Sequence, residues 1–128
     1  MVKKMVIASA AALALLMIGA PAMAHHSVAA EFDVSKEFTL TGTLTKIEFV
    51  NPHSWWYIDV KGADGSVTSW KLESLSPNLL IRQGLKVRQD VKIGGTYSFR
   101  VSPAKRDPAL GFMKAITVNG KEYVVVEL

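Results

Sequence analysis

The chain has 128 residues, 15 Lys+Arg against 11 Asp+Glu, a formal net charge of +4, and 49% hydrophobic residues. That length leaves room for one domain beyond any targeting segment. With no cysteine, disulfides, iron–sulfur clusters, thiolate zinc sites and cysteine nucleophiles are excluded, and a metal would have to be held by nitrogen, oxygen or a Met thioether.

The first segment reads as an address. Lys3 and Lys4 precede the apolar run Met5–Ala20, and Pro21-Ala22-Met23-Ala24 then offers small residues to a signal peptidase. This is the three-part layout of a secretory signal peptide. The run is shorter than the roughly 18–20 apolar residues of a membrane span, so export with cleavage is expected, to the periplasm or the medium, with no span left afterwards. Removal of residues 1–24 takes away two lysines and no acid. The remaining charge is too small to expect nucleic acid as a partner.

Cleavage after Ala24 makes His25 the first residue and His26 the second. A free α-amine loses its proton far more easily than a lysine does. With the Nδ1 of the same residue it forms a chelate ring. His53, the only other histidine, can add a second imidazole. Such a three-nitrogen site suits Cu(II) by ligand type and geometry; zinc and nickel are alternatives for the same donors. Cleavage after Ala22 would leave Met23-Ala24-His25, also a Cu(II) or Ni(II) chelate, with the histidine third from the amine. Glu31 and Asp33 are candidates to orient a ring nitrogen or complete the coordination sphere. Residues 25–37 are read as an N-terminal arm.

From residue 38 to 128 the chain reads as a single β domain. Phe38, Leu40, Gly42 and Leu44 alternate with Thr39, Thr41, Thr43 and Thr45, the period of a half-buried strand. The parity then changes, Ile47 and Phe49 becoming the apolar positions, which predicts a bulge. Asn51-Pro52-His53 breaks the strand. Ser54–Val60 and Val67–Glu73 form a hairpin about Ala63-Asp64-Gly65. Ser76 is expected to cap a short helix with Pro77 in its first turn, ended by Gly84. A strand over Thr96–Val101 and a hairpin of Phe112–Val118 with Glu122–Leu128 about Asn119-Gly120 complete the order. The fold class predicted is mainly β, a small five- or six-stranded OB-like barrel with one short helix; a β-sandwich is the alternative.

Trp55 and Tyr57 project opposite to Trp56, and with Trp70 they are candidates for a ligand- or partner-binding surface. Seven basic residues and one acid lie between Arg82 and Arg106. Asp59, Asp64 and Glu73 show no evident pairing. No nucleophile elbow, catalytic triad spacing or phosphate-binding glycine loop is present, so no catalytic residue is assigned. The one route to chemistry is redox at copper.

The motifs His25-His26-Ser27, Glu31-Phe32-Asp33, Thr41-Gly42-Thr43, Val50-Asn51-Pro52-His53-Ser54-Trp55, Trp70 and Ser76-Pro77-Asn78 together resemble a family of short exported bacterial proteins, domain-of-unknown-function family 6152. The resemblance covers nearly the whole chain after residue 24. It implies a small exported β domain and no established activity. The leading histidine is also similar to that of histidine-brace copper proteins such as lytic polysaccharide monooxygenases and periplasmic copper carriers, an analogy confined to that residue and one partner. The function expected is therefore an exported copper carrier, chaperone or sensor. The alternative is an OB-type module that binds a non-metal ligand or an envelope protein.

Overall fold

The computed structural model describes residues 27–128. The chain divides into two units, 1–30 and 31–128; of the first, residues 27–30 are described and are helical. The second unit is built around one long strand, β1 (Phe38–Val50). Its first half, Phe38 to Thr43, pairs antiparallel with β4 (Thr96–Pro103), and its second half, Thr43 to Val50, pairs antiparallel with β2 (His53–Lys61). The strand changes partners where it bends. The register slips between Leu44 and Lys46, the bulge that the parity change predicts. At Gly42 a Cβ would lie 2.7 Å from the Asp59 carbonyl oxygen, so only glycine permits this approach.

Strand β2 pairs along its whole length with β3 (Val67–Leu75). Two short helices follow, α1 (Asn78–Arg82) and α2 (Val87–Asp90). Then come β4, β5 (Leu110–Val118) and β6 (Lys121–Val124). The sheet order is β3-β2-β1-β4-β5-β6. A parallel pairing of Lys71–Glu73 with Leu110–Phe112 closes strands β1–β5 into a barrel, and closure excludes the sandwich alternative. One edge of β5 is shared, residues 110–112 by β3 and residues 115–118 by β6. β6 is thus an extra strand beside the five-stranded barrel.

The core follows from the alternation. Leu44, Trp56, Ile58, Leu72, Phe99, Val101, Met113 and Ile116 are buried inside, joined by Leu80, Leu85, Val87 and Val91 from the helical segment. Phe112 lies outside this cluster and is covered by Phe32, with ring centroids 5.4 Å apart. Phe32 bridges Ala104, the Asp33 amide donates to the Pro103 carbonyl at 2.8 Å, and the Lys105 amide donates to the Glu31 carbonyl. The residues just before β1 are therefore held along the 103–105 segment.

Several boundaries differ from those expected. β2 begins at His53, β3 continues to Leu75, β4 continues to Pro103 and β6 stops at Val124. There the tail turns to Lys114, whose carbonyl accepts from the Val125 and Val126 amides. The N-cap residue of α1 is Pro77, not Ser76; the Ser76 hydroxyl accepts instead from the Asn78 amide at 3.4 Å. Helix α2 was not expected. It is a single turn in which the Asp90 carboxylate accepts from the Lys86 amide at 2.9 Å, a local contact that hydrophobic periodicity over four residues does not reveal. The Asn119-Gly120 turn is as expected, with φ of 50° and 79°, the paired positive values of a type I′ hairpin.

Candidate functional site

The three strands of the hairpin pair share one rung at an end of the sheet. His53 opens β2 there, opposite Val50 of β1 and Leu75 of β3. The next residue secures the strand. Ser54 is buried, its hydroxyl donates to the Leu75 carbonyl at 2.8 Å and accepts from the Trp56 indole at 2.9 Å. A fixed backbone on one side leaves His53 with its ring on the outer face of the barrel.

That ring is oriented by Glu73. The carboxylate of Glu73 is buried and forms a hydrogen bond with His53 Nδ1. With Nδ1–H donated to the carboxylate, the lone pair of the neutral imidazole resides on Nε2. The His53 side chain is 37% exposed. The residue borders an open cleft of about 250 Å³, lined also by Phe49, Asn51, Ser76, Pro77 and Asn78. A carboxylate behind one ring nitrogen is the arrangement that sets the tautomer and ring orientation of a metal-ligating histidine.

Glu73 is the functional residue that sequence reasoning missed, and the expectation that it lacks a partner is corrected. Asp59 and Asp64 are also engaged, accepting from Ser69 and Ser66. The signal for Glu73 was present in the hairpin: each β2 residue pairs with the β3 residue that mirrors it about Asp64, as His53 with Leu75 and Trp55 with Glu73. His53 and Glu73 are thus diagonal neighbours on one face, within reach of long side chains.

The other candidates are dispersed. His25 and His26 lie outside the described residues. Glu31 is exposed. The Asp33 carboxylate is turned to Ser35, whose hydroxyl donates at 2.6 Å, and to Lys36 at 3.2 Å; the Ser35 hydrogen bond, then Lys36, holds its pKa below the ordinary value. Trp55 and Tyr57 share the outer face with His53, and Lys71 Nζ lies 4.1 Å from the Trp55 ring centroid and 5.9 Å from that of Tyr57. The Tyr57 hydroxyl donates to Glu48 at 2.9 Å, which pushes the phenol pKa up. Glu48 also pairs with Lys46, and that contact chiefly holds its carboxyl below the usual range. Trp70 points to the opposite face, opposite Ile58 and with its ring 5.7 Å from Phe38. The three aromatics therefore do not make one surface. Among the described residues, no group of three or more His, Asp or Glu side chains converges to hold a metal, and no helix is long and apolar enough to cross a membrane.

The closed barrel with its helical insertion between β3 and β4 is an OB-type fold. It is similar to a mitochondrial single-stranded DNA binding protein of S. cerevisiae, Rim1, at a TM-score of 0.51 and 10% identity, over 66% of this chain and 94% of that one. It is also similar to the N-terminal domain of PriB from Thermoanaerobacter tencongensis, at a TM-score of 0.49 and 14% identity, over 68% and 99% of the two chains. No curated protein matches the sequence. The chain belongs to a family of unknown function, DUF6152, whose model matches residues 12–120.

Proposed function

We propose that this is an exported metal-binding protein, a carrier, chaperone or sensor of Cu(II), in which His53 is the barrel-side ligand. The observation that carries the reading is the His53–Glu73 pair: a partly exposed imidazole whose Nδ1 is held by a buried carboxylate, leaving Nε2 as a lone-pair donor. His25, freed by processing after Ala24, would supply the amine and its own imidazole, with His26 beside it. Three nitrogens of this kind favour Cu(II) over harder ions.

Phe32 stacks on Phe112, and Phe112 is the register partner of Glu73 across the barrel seam. Phe32 lies seven residues after His25, and the proposal requires the amine and His53 to meet around one ion. Export is supported by the tripartite character of residues 1–24.

The likeness to a single-stranded DNA binding protein does not favour the same role here. A base stacking on the β2 outer face would need the ring of Trp55, and Lys71 already lies over it. Trp70 is on the other face. These contacts also weaken the reading of Trp55, Tyr57 and Trp70 as one partner-binding surface.

The test is a Cu(II) titration by calorimetry on exported protein whose first residue is fixed by intact mass. Sub-micromolar affinity is expected. It should collapse in His53→Ala and when a retained residue blocks His25, and fall about 10–100-fold in Glu73→Gln. Millimolar binding, or binding indifferent to His53, overturns the proposal.

A further inference from the structure

Beside the histidine lies a larger cleft that the metal reading does not use. It has a volume of about 440 Å³ and is lined by Phe49, Pro77, Ile81 and Val87, with Lys86 and Arg88 among them. Phe49 and Ile81 are 50% and 53% exposed, although both are large apolar side chains. Phe49, Pro77 and Asn78 also border the His53 cleft, so the two clefts adjoin.

The charge on this groove has one sign. Of the lining residues, Lys86 and Arg88 are charged and both are exposed; Arg82 and Lys92, near them in the sequence, are exposed too, and among the described residues no ion pair engages any of the four. The one acid of the stretch, Asp90, accepts from the Lys86 backbone amide. An apolar floor flanked by uncompensated cations is complementary to an occupant that is apolar at its centre and anionic around it.

We propose that the groove docks an acidic segment of a partner protein, anchored by one apolar side chain between Phe49 and Ile81. A small molecule fits less well, because small-ligand sites enclose most of the ligand surface and this groove is open along its length. The chain's own residues 1–26 contain Lys3 and Lys4 and no acid, so they repel rather than complement it. A second copy bound face to face would set Lys86 and Arg88 against themselves.

The inference is independent of the metal site. Its test is fluorescence anisotropy with the full chain and a short labelled peptide of Asp and Glu residues around a central Phe. A matched peptide with Lys in place of each acid and a labelled oligothymidylate serve as the comparisons. The acidic peptide should bind, the lysine peptide should not, and K86E/R88E should weaken binding at least about tenfold. Ile81→Ser should weaken it as well, through the lost anchor. These residues are at the surface, and unchanged thermal unfolding of each variant shows that the fold is kept. Lys61→Glu, at an exposed lysine at the other end of β2 from His53, should leave peptide affinity unchanged, which separates the groove from the general surface charge. Equal binding of both peptides, indifference to K86E/R88E and Ile81→Ser, or tighter capture of oligothymidylate than of the acidic peptide overturns the proposal.

Discussion

Removing the His53 imidazole should destabilise the protein more than removing its partner. The Glu73 side chain is 12% exposed and that of His53 37%, so the two ends of the hydrogen bond have different access to water. In His53→Ala the carboxylate is left buried without its donor, a cost of about 1–3 kcal/mol for an unsatisfied group and more when it is charged. In Glu73→Leu the imidazole turns to solvent and only the net worth of the hydrogen bond is lost, about 0.5–1.5 kcal/mol. In the double variant the buried charge is gone, so its loss should be smaller than the sum of the two single losses. Urea unfolding of the four proteins, free of metal and at neutral pH, reads this coupling directly. Thermal midpoints should follow at about 4–8 °C per kcal/mol for a domain of this size. If His53→Ala falls within about 0.5 kcal/mol of wild type, as ordinary surface substitutions do, or if the two losses simply add, then Glu73 does not hold the ring and the argument for an oriented Nε2 fails.

Two further outcomes follow from the packing and the charge network. At Gly111 an added Cβ would overlap Val101 Cγ1, so Gly111→Ala should cost about 1–3 kcal/mol in urea unfolding by overpacking; a neutral result would mean that the β4–β5 seam is slacker than described. Arg100 gathers Glu37, Glu122 and Glu127, and Lys114 pairs with Glu37. Lys114 chiefly holds the Glu37 carboxyl, and Arg100 that of Glu127, below the ordinary value of 4.5. A depressed folded pKa gives stability that is present above the unfolded value and is lost as pH falls through the folded one. Hydrogen exchange at the Val125 and Val126 amides should therefore accelerate as pH falls below about 4.5, relative to the intrinsic rate, and Arg100→Gln should give the faster relative exchange already at neutral pH. Protection that is flat across this range in wild type would refute the coupling.

What was legible in the sequence is what depends on near neighbours along the chain. The β1 bulge followed from the parity change between Leu44 and Lys46, and both hairpins from their turn residues. The β6 end was not legible, because the amides of Val125 and Val126 turn to Lys114, a partner chosen by the fold. Helix α2 rests on one carboxylate-to-amide contact, too short to produce a period. The His53–Glu73 pair joins residues 20 apart, and it follows only once the register of the β2–β3 hairpin is fixed. The same register sets Trp70 opposite Ile58, on the other face from Trp55 and Tyr57, which the spacing of the aromatics along the chain does not show.

Phe49 shows how the site and the fold are connected. By parity it belongs inside: it follows Leu44 and Ile47 on the inward side of β1 after the bulge and pairs with the buried Ser54. Yet it is half exposed, because this rung is where β1, β2 and β3 reach their common end, beyond the last layer of the core. Helices α1 and α2 cover the core with Leu80 and Val87 but leave Phe49 and Ile81 uncovered. An apolar side chain at core parity and without a cover is a site where burial by something else yields free energy, on the order of 25 cal/mol for each Å² removed from water. The next rung carries His53, opposite Val50, and Phe49 and His53 border one cleft, so a partner seated on Phe49 would lie beside the imidazole. If both proposals hold, docking and metal exchange take place at one end of the barrel, and Phe49→Ser should weaken peptide capture while leaving the metal affinity of the free protein intact.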